Sequence, residues 1–442
     1  MDILKTTIKT SIGKAASLLF DIGRNLLFIK TLSVETFGLL SLGNNLVQSN
    51  KYLDFGFANK FLIDSYDGRL TGSEAKQIFY AIVIFEFFLL SLCGLGFLLF
   101  VSIFDKTIMV DGAQLSVGIF LPIIVILAFF SARLYKLSLI WRRHKKNFVE
   151  VSIIEITLSA FLLIGSLLVL ILDFISFANS YFFLQAILFF AFTASIFNIF
   201  YGTKINVKWL FVNLKTSLLL TASTFLYGLS FYFDRFILVT YFGLAEIGNY
   251  AFLLFILNFG SALITYGLQP IRAHIASLIA DADENTRNNV LINICKHAGL
   301  YILIMGVAFI NLVVPGIKYW MQVFLTKYEL AIMDLQYVFS IILTMPSLYL
   351  LGYLLVAKPF NKTGIYAVSQ LAGIVCMAIS FFVMDSDDSI YSALLVGIYF
   401  GNVMKILLYI SVMASQQNWC LKNIYQLILC APFLFLPLVN YA

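Results

Sequence analysis

Residues 24–62 read RNLLFIKTLSVETFGLLSLGNNLVQSNKYLDFGFANKFL. Apolar runs at 11–31 and 37–60 flank the short link around Ser33, and each is long enough for a helix to cross a bilayer, which needs about 20 residues. Both runs carry polar residues three and four apart, the spacing of one helical face. Lys14, Ser17, Asp21 and Arg24 form such a stripe in the first, and Asn44, Gln48, Lys51 and Asp54 in the second. The segment is therefore a transmembrane hairpin with a polar face in each arm.

The rest of the chain repeats this character. It has 442 residues, 61% hydrophobic and only 12% charged, with mean hydropathy +0.95. That excludes a soluble domain set, and 26 Gly, 7 Pro and 5 Cys exclude disorder, collagen-like repeats and a disulfide scaffold. Further apolar runs fall at 77–104, 113–140, 149–172, 176–201, 216–242, 246–271, 290–314, 330–357, 363–384 and 389–414. With the first two they make twelve spans, which take up roughly 240 to 280 positions and leave no room for a soluble catalytic domain. A thirteenth stretch, 424–440, carries Pro432 and Pro437 and is compatible with a short span, a re-entrant piece or an interfacial segment. The cysteines form no CxxC or ligand spacing and read as small core residues. Asp21 and Arg24 interrupt what would be the uncharged core of a signal peptide, so the first run is expected to be retained as a helix.

Lys and Arg in alternate loops set the expected orientation. One set of loops and termini holds 19 of them, including WRRHKK at 141–146; the other holds four, Lys30, Lys106, Lys318 and Lys327, with an acidic DSDDS at 385–389. The N-terminus is thus expected in the cytoplasm. The formal charge of +6 is mostly this topology signal and not a nucleic-acid footprint.

The hairpin has a faint counterpart about 210 residues on, RFILVTYFGLAEIGNYA from Arg235, in which Arg, an apolar stretch, an acidic residue and Gly38 or Gly248 recur after one gap. Six spans in each half give a parallel repeat about an axis along the membrane normal. The expected architecture is all-α and polytopic. Two six-helix, pseudo-symmetric lobes, 1–205 and 206–414, surround a central cavity, and a tail follows at 415–442. The seventh span carries Ser223, Tyr227, Ser230 and Asp234 beside Arg235; the eighth carries Asn258, Ser261 and Thr265; the twelfth carries Asn402, Lys405 and Tyr409. These faces are expected to line the cavity.

A cation at mid-bilayer costs at least about 2.5–3.5 kcal/mol, so it faces a cavity or a partner. Arg24, Arg235, Lys405 and Lys51 are the candidate ligand-binding cations. The competing readings are pairing of Arg24 with Asp21, and snorkelling of Lys405 and Lys51 to the cytoplasmic surface. Asp21, Asn44, Gln48, Tyr227, Asp234, Asn258 and Thr265 are candidate lining residues. Glu86, among Phe85, Phe87 and Phe88, is a candidate proton site together with Asp21 and Asp234, or else a hydrogen-bonded structural carboxyl. His144, His274 and His297 are too scattered for a metal site, and no cofactor is expected.

There is no Walker loop, HExxH or GxSxG, and the largest outward connection, about 315–329, is too short for a catalytic domain. A carrier, facilitator or scramblase remains. The hairpin at 24–62, with its TFG turn and later DFGF, and its counterpart with DRFILVTYFGLAEIGNYA and GLQPIRAHIA, resemble the multidrug/oligosaccharidyl-lipid/polysaccharide exporter superfamily over about residues 1–414, and within it the bacterial O-antigen and capsule-unit flippases. The resemblance implies a two-lobed V opening alternately to each side of the bacterial inner membrane. Its implied cargo is an oligosaccharide unit on undecaprenyl pyrophosphate, its surroundings membrane lipid, and its partner the polysaccharide polymerase machinery. The alternatives are a cation-coupled multidrug exporter of the same superfamily and, in another class, a membrane glycan polymerase or ligase.

Overall fold

A computed structural model describes residues 2–50, 56–66, 70, 72–104, 108–110, 113–115, 120–145, 147–172, 177–193, 204–280, 315–316, 319, 325–328, 331, 334–356, 363–383 and 390–416. The ninth span, 290–314, and the 424–440 stretch lie outside the described residues, as do Lys51, Asp54 and the side chains of Tyr227 and Thr265. The helices are α1 (Asp2–Thr31), α2 (Val34–Ser49), α3 (Phe57–Tyr66), α4 (Gly72–Phe104), α5 (Phe120–His144), α6 (Phe148–Leu172), α7 (Phe177–Ala191), α8 (Lys208–Tyr241), α9 (Leu244–Ala280), α10 (Leu335–Val356), α11 (Thr363–Val383) and α12 (Ile390–Gln416). Five described stretches are long and apolar enough to cross a membrane: Gly72–Leu92, Leu121–His144, Phe148–Leu172, Leu244–Ala262 and Tyr391–Val412. Large apolar side chains stand exposed along them, such as Phe88 and Leu92 on α4 and Ile153, Ile164 and Ile171 on α6. Hydrocarbon is the solvent such faces suit. The protein is a helical, multi-pass membrane protein.

Two expected spans differ in detail. The second, 37–60, is broken into α2 and α3: Asn50 donates from its side chain to the Val47 carbonyl at 2.5 Å, which caps α2, and Gly56 sits at φ 68 before α3 restarts. Only glycine takes that left-handed conformation without strain, so the DFGF motif is a helix break. In the fourth, 113–140, the described helix begins at Phe120, and Ala113–Leu115 is instead a strand, β2, that pairs antiparallel with Ile108–Val110, β1.

The chain forms two compact units. The first comprises Met1–Gly228 with Tyr241–Gly248, the second Leu229–Thr240 with Asn249–Ala442. In the first, α1 lies along α6, where a Cβ on Gly13 would meet the Ser152 side chain, and α2 approaches α7 where Gly43 faces the Phe182 ring. An aromatic core of Phe57, Phe61, Phe79 and Trp141 ties α3, α4 and α5 together and takes in Leu210 from the start of α8. In the second unit, α12 packs against α10 and α11. A Cβ on Gly401 would lie 2.9 Å from the Gly373 Cα, and one on Gly397 2.6 Å from the Met377 Cα, so backbones meet directly, as small residues allow within membranes.

The corner between α1 and α2 is repeated between α8 and α9. Helices end at Thr31 and Tyr241 and restart at Val34 and Leu244, a constant offset of 210 that also relates Gly38 to Gly248. Because α1 and α8 are both continuous into their corners, no gap separates the repeats there. Counted back from the corner, Arg24 corresponds to Asp234, and Arg235 to Asn25, which corrects the Arg-to-Arg alignment expected from the sequence.

Candidate polar sites within the helices

In the first unit, Arg24 is 12% exposed and pairs with Asp21, 38% exposed, at 3.2 Å; the two are one turn apart on α1. The Arg24 Nε is buried without a hydrogen-bond partner, so part of the guanidinium is unspent. One turn earlier, Ser17 and Ser159 share a hydrogen bond of 2.7 Å between α1 and α6. Asn44 on α2 accepts from Gln185 Nε2 on α7 at 2.8 Å, and the same amide donates to the Tyr181 hydroxyl at 2.7 Å. Gln48 is exposed and outside this network.

Glu86 meets a partner that sequence reasoning missed. Arg133 on α5 binds it through two hydrogen bonds, Nε to Oε2 at 2.6 Å and Nη2 to Oε1 at 2.7 Å, and both side chains are almost fully buried. This fork-to-carboxylate geometry is the strongest that an ion pair offers, and its burial favours the structural reading of Glu86 over the titrating one. Lys136, one turn further along α5, donates to Asn50 at 2.7 Å. Arg133 and Lys136 stand three apart in an apolar run, the same signal that singled out Asp21 and Arg24, and could have been found by it.

In the second unit, Asp234 is 2% exposed and accepts from the Tyr250 hydroxyl at 2.6 Å. The backbone N–H of Arg235 donates to it at 2.7 Å, and the Arg235 guanidinium comes within 3.8 Å of it. Asn258 is exposed on α9. On α12, Asn402 donates to Thr344 of α10 at 3.1 Å, and Tyr409 shares a 2.9 Å hydrogen bond with Ser369 of α11. Lys405 lies between them on the same face, 7% exposed, its Cε and Nζ laid over Gly373. Among the described residues no carboxylate pairs with it. The structure thus joins Asp21 to Arg24, Asp234 to Arg235 and Tyr250, and Asn44 to α7. Lys405 stands apart as a buried cation.

No protein-family model and no curated protein matches the sequence. Solved structures do match its fold. The structure described as lipid II flippase MurJ in an inward closed conformation superposes with a TM-score of 0.71 at 15% identity, covering 98% of this chain and 92% of the other. An inward-facing multidrug resistance MATE family transporter of the MOP superfamily gives 0.67 at 12%, covering 91% and 96%. A point mutant of the Vibrio cholerae MATE transporter VcmN gives 0.63 at 15%, covering 93% and 96%. At these identities the likeness is one of fold, and it runs along nearly the whole chain.

Proposed function

We propose that the protein is a flippase that carries an undecaprenyl-pyrophosphate-linked oligosaccharide, of O-antigen or capsule type, across the bacterial inner membrane by alternating access. The observation that carries this reading is the charge balance of the buried side chains within each unit. Glu86 is compensated by Arg133 and Asp234 by Tyr250 and Arg235, whereas Lys405 has no carboxylate among the described residues and Arg24 keeps an unbonded Nε. Cationic capacity to spare in each unit suits an anionic head group. The fold it shares with a lipid II flippase supports a lipid-linked cargo.

The physical task fits. Each sugar hydroxyl forced into hydrocarbon without a partner costs several kcal/mol, so about ten of them forbid unaided crossing. Polar helix faces replace the lost water, the diphosphate is held by the forked donors of Arg24 and Arg235 and by Lys405, and the prenyl chain stays in lipid. Gln48 and Asn258, exposed on α2 and α9, remain available to hydroxyls, with Tyr227, Thr265 and Lys51 as further candidates.

Replacing Arg24 or Arg235 by Ala in cells that depend on this protein is expected to cut surface polysaccharide roughly tenfold or more, since a charge-assisted hydrogen bond is worth about 1.5–3 kcal/mol. Undiminished polysaccharide at normal membrane levels of the variant rules these residues out. A second reading, a cation-coupled multidrug exporter, draws on the MATE likenesses and on Asp21, which is 38% exposed despite its ion pair. Drug resistance conferred on a sensitive host and abolished by Asp21→Asn, with no effect on polysaccharide, selects it.

A further inference from the structure

The two glycines that head the repeated corners touch each other. A Cβ on Gly38 would lie 2.5 Å from the Leu244 carbonyl oxygen and 2.9 Å from the Gly248 nitrogen. A Cβ on Gly248 would run into the Val34 carbonyl oxygen and lie 2.7 Å from Val34 Cγ1. Val34 and Leu244 open α2 and α9, and each is related to the other by the offset of 210, as Gly38 is to Gly248. The contact is therefore reciprocal: each glycine rests on the first residue of the facing helix. The contact reads the same from either glycine. Val34, Gly38, Leu244 and Gly248 all belong to the first compact unit.

The chemistry of the contact is unusual for a helix junction. It is backbone against backbone: the Cα face of each glycine rests on a carbonyl oxygen or amide of the facing helix, an approach that a single methyl group would block. Neither glycine carries a side chain into it; Val34 Cγ1 lies against Gly248, and the other nearest atoms are backbone, so little side-chain packing holds the two helix starts together at these positions. The corners themselves are held locally. Ser33 Oγ caps α2 by accepting from Thr36 N–H at 3.2 Å, and the Glu246 carboxylate folds back toward Gly243 at the start of α9. Each corner thus keeps its shape whether or not it meets the other.

We infer that the Gly38–Gly248 contact is a releasable seal, closed in this structure, at the ends of α2 and α9 that the cation count assigns to the non-cytoplasmic side, and that a side chain at either position holds that end open. The inference concerns the conformational cycle and is independent of the cargo.

The test reads accessibility, not transport. In right-side-out membrane vesicles, a chain with its five native cysteines replaced and Leu244→Cys introduced is treated with a membrane-impermeant maleimide. Leu244 is 9% exposed. With both glycines native, labelling is expected to be slow but complete, because the thiol is reached only when the seal opens. Gly38→Ala and, separately, Gly248→Ala are each expected to speed labelling roughly tenfold or more by shifting the population toward the open state. Gly23→Ala, whose Cβ would meet only Leu163 at 3.8 Å, is expected to leave the rate unchanged. Permanent protection of the thiol with native glycines, labelling from the cytoplasmic side alone, or an unchanged rate in folded Gly38→Ala and Gly248→Ala chains overturns the inference. The native-glycine measurement decides even if both alanine variants fail to reach the membrane.

Discussion

Glu86 and Arg133 exchange two hydrogen bonds in a place where neither meets solvent, and the consequence is specific. Removing one charge leaves the other buried and unpaired, which costs about 3–5 kcal/mol, whereas replacing both by apolar residues of similar volume is close to neutral. Glu86→Gln is expected to lower the thermal unfolding midpoint of the detergent-solubilised protein markedly, and Glu86→Met with Arg133→Met to recover most of the loss. Equal stability of the Glu86→Gln variant and the parent would show that the pair carries no structural role. At this same scale, some of the site was readable beforehand. Asp21 and Arg24 lie three apart on one helix, so their pairing follows from helical spacing alone. Asn44 and Gln185 are 141 positions apart, and nothing in either local sequence announces the other.

Helix-to-helix packing in the second unit turns on glycines whose neighbours differ in how freely they move. A Cβ on Gly373 would meet Lys405 Cε at 2.6 Å, the flexible outer part of a long side chain, whereas one on Gly401 would meet the Gly373 backbone at 2.9 Å. Gly401→Ala is therefore expected to destabilise the α11–α12 pair by about 1–3 kcal/mol, the usual cost of overpacking, and Gly373→Ala by distinctly less. Thermal unfolding of the two variants in detergent checks the order; the reverse order contradicts the packing described. The elements also show where pattern reading stops short. Long apolar runs located most of the described helices, yet the left-handed Gly56 and the strand β2 lie inside runs, 37–60 and 113–140, that hydropathy treats as continuous. A left-handed glycine and a capping amide are local backbone events that averaging over a window erases.

For the molecule as a whole, α5 joins the β1–β2 hairpin to the Trp141–Lys145 segment, and if α5 crosses the membrane these lie on opposite sides. Single cysteines at Ala113 and Lys145 are expected to react with an impermeant reagent from the outside and from the cytoplasm respectively; reaction of both from one side would refute the orientation drawn from the 19-to-4 distribution of cations. By itself the sequence determined that the chain is a multi-pass helical bundle, roughly where its helices run, and that a repeat of about 210 residues underlies it, because apolar length and periodicity are properties of contiguous residues measured against the bilayer. Only the tertiary structure decided that Glu86 is spent on Arg133, that Asp234 is held by Tyr250, that Arg24 corresponds in the repeat to Asp234, and that Gly38 rests against Gly248. Those facts depend on the rotation and depth at which helices distant in sequence meet, set by many close contacts acting together and by no single stretch of chain.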